Sequence, residues 1–175
     1  QLKATKVGDP FDEETDMGPL SSGEQLETVL EQIETAKREG AMLEFGGDVQ
    51  DGPGAFISAG VLTGVPLESE TAKAEIFGPI AQLYRAEDID DAIRHTNGIQ
   101  AYQGQGHSCG IYSTSDDNIM KLANATRTSR VMVNQPQAAS NSGNLWNGMR
   151  QTFSLGCGSW GGNGTNHNIS WRDLI

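Results

Sequence analysis

Glu75, Phe77 and His107 are the side chains of this sequence whose types and settings suit chemistry on a bound small molecule. Glu75-Ile76-Phe77-Gly78-Pro79-Ile80 places a carboxylate and an aromatic ring ahead of a Gly-Pro pair and an apolar run. Glycine tolerates backbone angles that other residues avoid, and proline fixes its own φ. The segment therefore reads as a sharp turn before a strand, with both side chains presented where ligands are commonly met. A carboxylate in that position can accept hydrogen bonds from hydroxyl groups. The plain alternative is a solvated Glu beside a core Phe. His107 lies in Gly106-His107-Ser108-Cys109, after a glycine-containing loop. Imidazole is the side chain best suited to moving protons near neutral pH; the alternative is a hydrogen-bonded structural His at a strand entrance. His95 falls on a helix surface and His167 in a polar loop, and both read as structural or solvated. No Cys/His spacing fits zinc, so no metal site is expected.

The elements that must position these groups are legible from periodicity. Residues 23–39 read as a helix, because Leu26, Val29, Leu30, Ile33 and Ala36 recur on one face. Ser22 with Gln25 fits a capping box, and Gly40 stops the helix. Ala41–Phe45 and Phe56–Leu62 read as strands, the second interrupted by Gly60. A short helix over Ser69–Ala74 precedes the Glu75 turn, and Ile80–Tyr84 follows it as a buried strand. Asp88 caps the next helix, which Asn97-Gly98 is expected to end. Ser108–Ser113 as strand, Asp116–Ala125 as helix and Val131–Asn134 as strand complete a βαβαβ alternation. The helix over Asp116–Ala125 is expected to bury Ile119, Met120, Leu122 and Ala123. The fold class expected is α/β, an open and mostly parallel sheet with flanking helices. Gln135 to Asn168 reads as a long Gly-, Asn- and Ser-rich loop, of the length that is usually functional or mobile. Ile169–Ile175 alternates as a terminal strand with little left in this chain to pair with, which invites another chain.

Composition narrows the function classes. With 175 residues the chain is the size of one domain or a large piece of one. Its formal net charge is −11, from 23 acidic against 12 basic residues. Such a field repels nucleic acid and anionic membrane, so neither is expected as a partner. Two cysteines make no disulfide framework, and no apolar run reaches membrane length, so a cytoplasmic setting is expected. The sequence opens on Gln1, and Val7-Gly8-Asp9-Pro10 reads like the middle of a domain, so a fragment or processed product is expected.

Several stretches, in order, resemble the aldehyde dehydrogenase superfamily. They are Val7-Gly8-Asp9-Pro10-Phe11-Asp12 with Asp16-Met17-Gly18-Pro19-Leu20, then Glu75 to Pro79. Gly106-His107-Ser108-Cys109, Ser129-Arg130-Val131-Met132-Val133-Asn134-Gln135-Pro136 and Leu155-Gly156-Cys157-Gly158-Ser159-Trp160-Gly161-Gly162-Asn163 resemble the CoA-acylating branch. Ordinary members carry a Pro-Phe-Gly-Gly segment after the Asn, and it is absent, whereas Glu75 to Pro79 has the ordinary form.

The resemblance implies the C-terminal portion of the family's catalytic domain. It makes Glu75 and Phe77 contacts of the nicotinamide ribose and nicotinamide of NAD or NADP, and it places His107 near the active site. It implies a small aldehyde substrate, oxidised through a cysteine thioester, with coenzyme A as co-substrate. Cys109 and Cys157 match positions other than the nucleophile, which belongs upstream in the family with the nucleotide-binding domain. The isolated chain is therefore expected to be inactive. Residues 1–167 are expected as a catalytic-domain portion, and residues 168–175 as the strand of a homo-oligomer contact. The rivals are a hydrolytic aldehyde dehydrogenase and a non-catalytic assembly module of the same fold.

Overall fold

In the computed structural model, residues 2–173 are described, and they form two compact units that divide between Arg85 and Ala86. Each unit is an α/β layer with its own core.

The first unit is built around helix α1, Gly23–Arg38. Ser22 accepts the Gln25 backbone N–H at its start, and Lys37 and Arg38 sit in the last turn where cations complement the helix dipole. Strands β1 (Met42–Phe45), β2 (Gly60–Thr63) and β3 (Ile80–Leu83) form one sheet in that order. β1 pairs antiparallel with β2, and β2 pairs parallel with β3. The parallel pair needs a crossover, and it contains the short helix α2, Glu70–Lys73. Val29, Ile33 and Ala36 of α1 pack on Leu62 and Ile80 of the sheet and on Ile57 and Ala72. Full burial of a Val, Leu or Ile side chain stabilises by roughly 1.5–3 kcal/mol.

The second unit is smaller in sheet. Helix α3 (Ile89–Gln100) starts at the Asp88 cap, β4 (Cys109–Ile111) pairs parallel with β5 (Val131–Val133), and helix α4 (Asp116–Ala125) crosses between them. Ile93, Cys109 and Leu122 form its core. A one-turn helix α5, Gln137–Ser140, follows β5. Asn134, just past β5, takes a left-handed φ of 53°, and its side-chain amide exchanges two hydrogen bonds with the Ser113 backbone. Local side-chain bonding of this kind makes Asn tolerant of that conformation.

Four expectations need correction. Strand pairing in the 56–62 region is confined to Gly60–Thr63, with Ile57 making only an isolated bridge to Val49. Helix α3 runs through Asn97-Gly98 to Gln100, because Asn97 turns its side chain to the Ala125 carbonyl and its own carbonyl accepts the Ala101 N–H. Met120 is 57% exposed, because α4 lays only Leu122 fully inward against Ile93 and Cys109. Trp171–Asp173 is a turn of 3-10 helix in place of strand, closed by Asp173 accepting the Ser170 N–H at 2.7 Å. Ile169 and Ser170 are in no strand either, and Leu174 and Ile175, the end of that expected strand, lie outside the described residues.

Candidate functional site

The Glu75 turn is pinned to α1 from two positions. Gln32 donates its side-chain amide to the Glu75 carbonyl at 3.0 Å, and Gln25 donates to the Phe77 carbonyl at 2.9 Å. Gln25 is the residue expected to complete a capping box; Ser22 makes its half, and the Gln25 side chain serves the turn instead. With the backbone held, Glu75 is exposed and the Phe77 ring is 70% exposed. Gly78 does not take a positive φ, contrary to the sequence expectation. Its glycine is required by space: a Cβ there would come within 2.7 Å of Val29 Cγ2. The turn therefore sits tightly on the helix face, and only the Glu75 and Phe77 side chains project. Beside it opens a cavity of about 750 Å³ whose walls include Asp16, Met17, Gly60, Gly78 and Pro79. Two separate sequence landmarks, Asp16-Met17 and Gly78-Pro79, thus share one cavity wall.

His107 belongs to the other unit and enters β4 from a tight approach. Gly106 has φ 89°, and a Cβ on it would collide with the Cys157 carbonyl. His107 is half-buried, with Nδ1 2.9 Å from Ser108 Oγ. The Ser108 hydroxyl donates to Gln137 Oε1 at 2.9 Å and accepts from Asn141 Nδ2 at 3.0 Å. A hydroxyl has one proton and two lone pairs. The proton goes to Gln137 and one lone pair to Asn141, so the second lone pair takes a proton from His107 Nδ1. That tautomer leaves Nε2 as the basic nitrogen, the form a general base requires.

Beneath His107 lies Arg130, buried at the start of β5. It donates to the carbonyls of His107 (3.3 Å) and Gly156 (2.9 Å) and to Asn168 Oδ1 (2.7 Å). Burial pushes this guanidinium below its ordinary value, and the nearby Cys157 thiol opposes that. Cys109 is buried with its Sγ 3.5 Å from the Thr126 and Thr128 hydroxyls, which is a packing role. Cys157 lies in the glycine-rich loop, its N–H donating to Asn163 Oδ1 at 2.6 Å. His95 bonds Asp91 at 3.2 Å on α3, and His167 bonds Asp173 at 2.7 Å.

The structure thus brings Glu75 and Phe77 together on one pinned turn, and gives His107 a hydrogen-bonded support in its own unit. Sequence reasoning missed Ser108, Gln137 and Asn141 as that support. It also gave Arg130 no role; the signal was a charged residue abutting the apolar run Val131-Met132-Val133. Among the described residues, no group of three or more His, Cys, Asp or Glu could hold a metal ion. No helix there is long and apolar enough to cross a membrane.

A family model described as "Aldehyde dehydrogenase family" matches residues 1–170. A sulfoacetaldehyde dehydrogenase (acylating) of Bilophila wadsworthia is 36% identical over 132 residues, 73% of this chain and 28% of that protein. Succinate-semialdehyde dehydrogenase [NADP(+)] of Mycobacterium avium is 43% identical over 97 residues, 55% of this chain and 21% of that protein. Among solved structures, betaine aldehyde dehydrogenase of Staphylococcus aureus in complex with NAD+ matches with a TM-score of 0.70 and 27% identity, over 77% of this chain and 27% of that one. The chain thus spans between 21% and 28% of the length of these proteins.

Proposed function

The chain belongs to the aldehyde dehydrogenase family, and from that premise we propose that it forms part of the catalytic domain of an NAD(P)-dependent, CoA-acylating aldehyde dehydrogenase. The observation that carries the reading is the pinned turn, which holds its backbone on α1 and offers only Glu75 and Phe77 outward. A nicotinamide dinucleotide, when bound, supplies the acceptor for the hydride of the aldehyde carbon. Glu75 accepts hydrogen bonds from its ribose hydroxyls, and the Phe77 ring gives an apolar face to the nicotinamide. The exposed carboxylate and ring fit those two duties. His107 takes or returns a proton at Nε2, with Nδ1 held by Ser108. Neither Cys109 nor Cys157 is the nucleophile, so residues 1–175 alone do not turn over.

Coenzyme A as the acyl acceptor is supported by the segments around His107 and Cys157 and by the relative named as acylating. A hydrolytic enzyme is the second reading, favoured by the ordinary form of Glu75 to Pro79. The substrate is a small aldehyde. Residues 168–175 serve a contact between subunits of a homo-oligomer, and the enzyme works in the cytoplasm.

Glu75→Gln tests the cofactor assignment. A charge-assisted hydrogen bond is worth roughly 1.5–3 kcal/mol, so the cofactor Kd should rise about tenfold or more. The melting temperature without cofactor, measured alongside, separates the loss of a cofactor contact from a loss of folding. An unaltered Kd, measured by quenching of intrinsic fluorescence on the intact protein, removes Glu75 from the site.

A further inference from the structure

A second cavity, of about 380 Å³, lies in the unit that begins at Ala86, with Ser129, Arg130, Arg150, Asn166, His167 and Asn168 in its wall. Arg130 is 5% exposed, yet it bonds only neutral acceptors, Asn168 Oδ1 and the carbonyls of Gly156 and His107. Those bonds use Nε and Nη1; Nη2 makes none to a described residue. No described carboxylate forms an ion pair with it. A buried cation with no counter-charge is costly to maintain.

The remaining wall adds donors. Arg150 is half exposed, its Nη1 3.8 Å from Asp173 Oδ2. His167 Nε2 sits 2.7 Å from Asp173 Oδ1, and that bond is the first cause holding the carboxyl at about 2. Asp173 therefore stays ionised, and it is engaged by Arg150 and His167. The Ser129 hydroxyl is buried and has no hydrogen-bond partner among the described residues.

We propose that this cavity binds an oxyanion of the phosphate or sulfonate class, carried on a larger molecule, with Arg130 as its buried counter-charge. Three of the five guanidinium N–H donors are taken by those neutral acceptors, and the two on Nη2 are the ones Arg130 offers to an oxyanion. Arg150 and Ser129 supply further donors from the same wall. The cavity exceeds the volume of one tetrahedral oxyanion, which leaves room for the body that carries it. A chain of net charge −11 repels anions at long range, so an anion held here needs such built-in cations. The residues of this site all belong to the unit that begins at Ala86, and the proposal does not depend on the proposed reaction.

The test uses the intact protein, with inorganic phosphate as probe at constant ionic strength. The expected result is a saturable rise in melting temperature. Arg150→Gln and Ser129→Ala should fold as wild type, and Arg150→Gln should weaken phosphate about tenfold, as loss of a charge-assisted donor implies. Coenzyme A and methanesulfonate then compete with phosphate. Displacement by coenzyme A assigns the site to a nucleotide phosphate and displacement by methanesulfonate alone to a sulfonate; displacement by neither overturns the proposal that the oxyanion is carried on a larger molecule. No stabilisation beyond that of matched chloride, or equal stabilisation of wild type and Arg150→Gln, overturns the proposal.

Discussion

Ser108 decides which nitrogen of His107 can work. Its single proton is committed to Gln137 and one lone pair to Asn141, so the imidazole must carry its proton on Nδ1. Ser108 is thus a positioning residue for the proposed proton transfer at Nε2. Ser108→Ala frees the ring to rotate and to change tautomer. In the intact protein this should lower kcat by roughly tenfold to a hundredfold, the lower range for losing general acid–base assistance, with KM little changed. Ser108→Thr keeps the hydroxyl and should restore the rate. A Ser108→Ala enzyme with wild-type kcat would remove the hydrogen-bonded support from the mechanism. The sequence showed His107 as a candidate, but its support could not be read, because Gln137 and Asn141 lie 29 and 33 residues beyond Ser108. Gly78 gives the complementary lesson: glycine was rightly required, but by the approach of Val29 and not by a special φ.

Elements were legible wherever capping and periodicity agreed. α4 occupies its expected residues, Asp116–Ala125, because Ser115 caps its start and its last turn meets Thr126 in extended backbone. Its inward face was read too broadly, since a short amphipathic helix on a two-stranded sheet buries one row of side chains. The terminal stretch alternated in sequence, but local hydrogen bonds accepted by Asp173 curl its described part into a 3-10 turn. Such bonds compete with strand pairing and leave no mark on hydrophobic periodicity.

The end of α1 carries a link that periodicity could not show. Glu39 accepts the backbone N–H groups of Glu70 and Thr71 and the Thr71 hydroxyl, tying α1 to α2. These bonds, the Thr71 hydroxyl first, hold its carboxyl below the ordinary 4.5. A depressed folded value means that the link contributes above the ordinary range and is lost as pH falls through the folded value. Glu39→Ala should therefore lower the melting temperature at pH 7. The difference from wild type should shrink as pH drops below 4.5. A difference that stays constant down to pH 3 would show that Glu39 acts through packing alone.

At the scale of the whole molecule, the chain is two α/β units and spans between 21% and 28% of the length of the similar proteins named above. The Glu75 turn stands in one unit and His107 in the other. The reaction proposed for the intact protein is oxidation of an aldehyde with transfer of the acyl group to coenzyme A. The most direct measurement supplies aldehyde and NAD(P), with and without coenzyme A, and follows both NAD(P)H and the acyl product. The proposed reaction should give sustained NAD(P)H formation only with coenzyme A, matched by an equal amount of acyl-CoA. Sustained turnover without coenzyme A, with free carboxylate as the product, would contradict it.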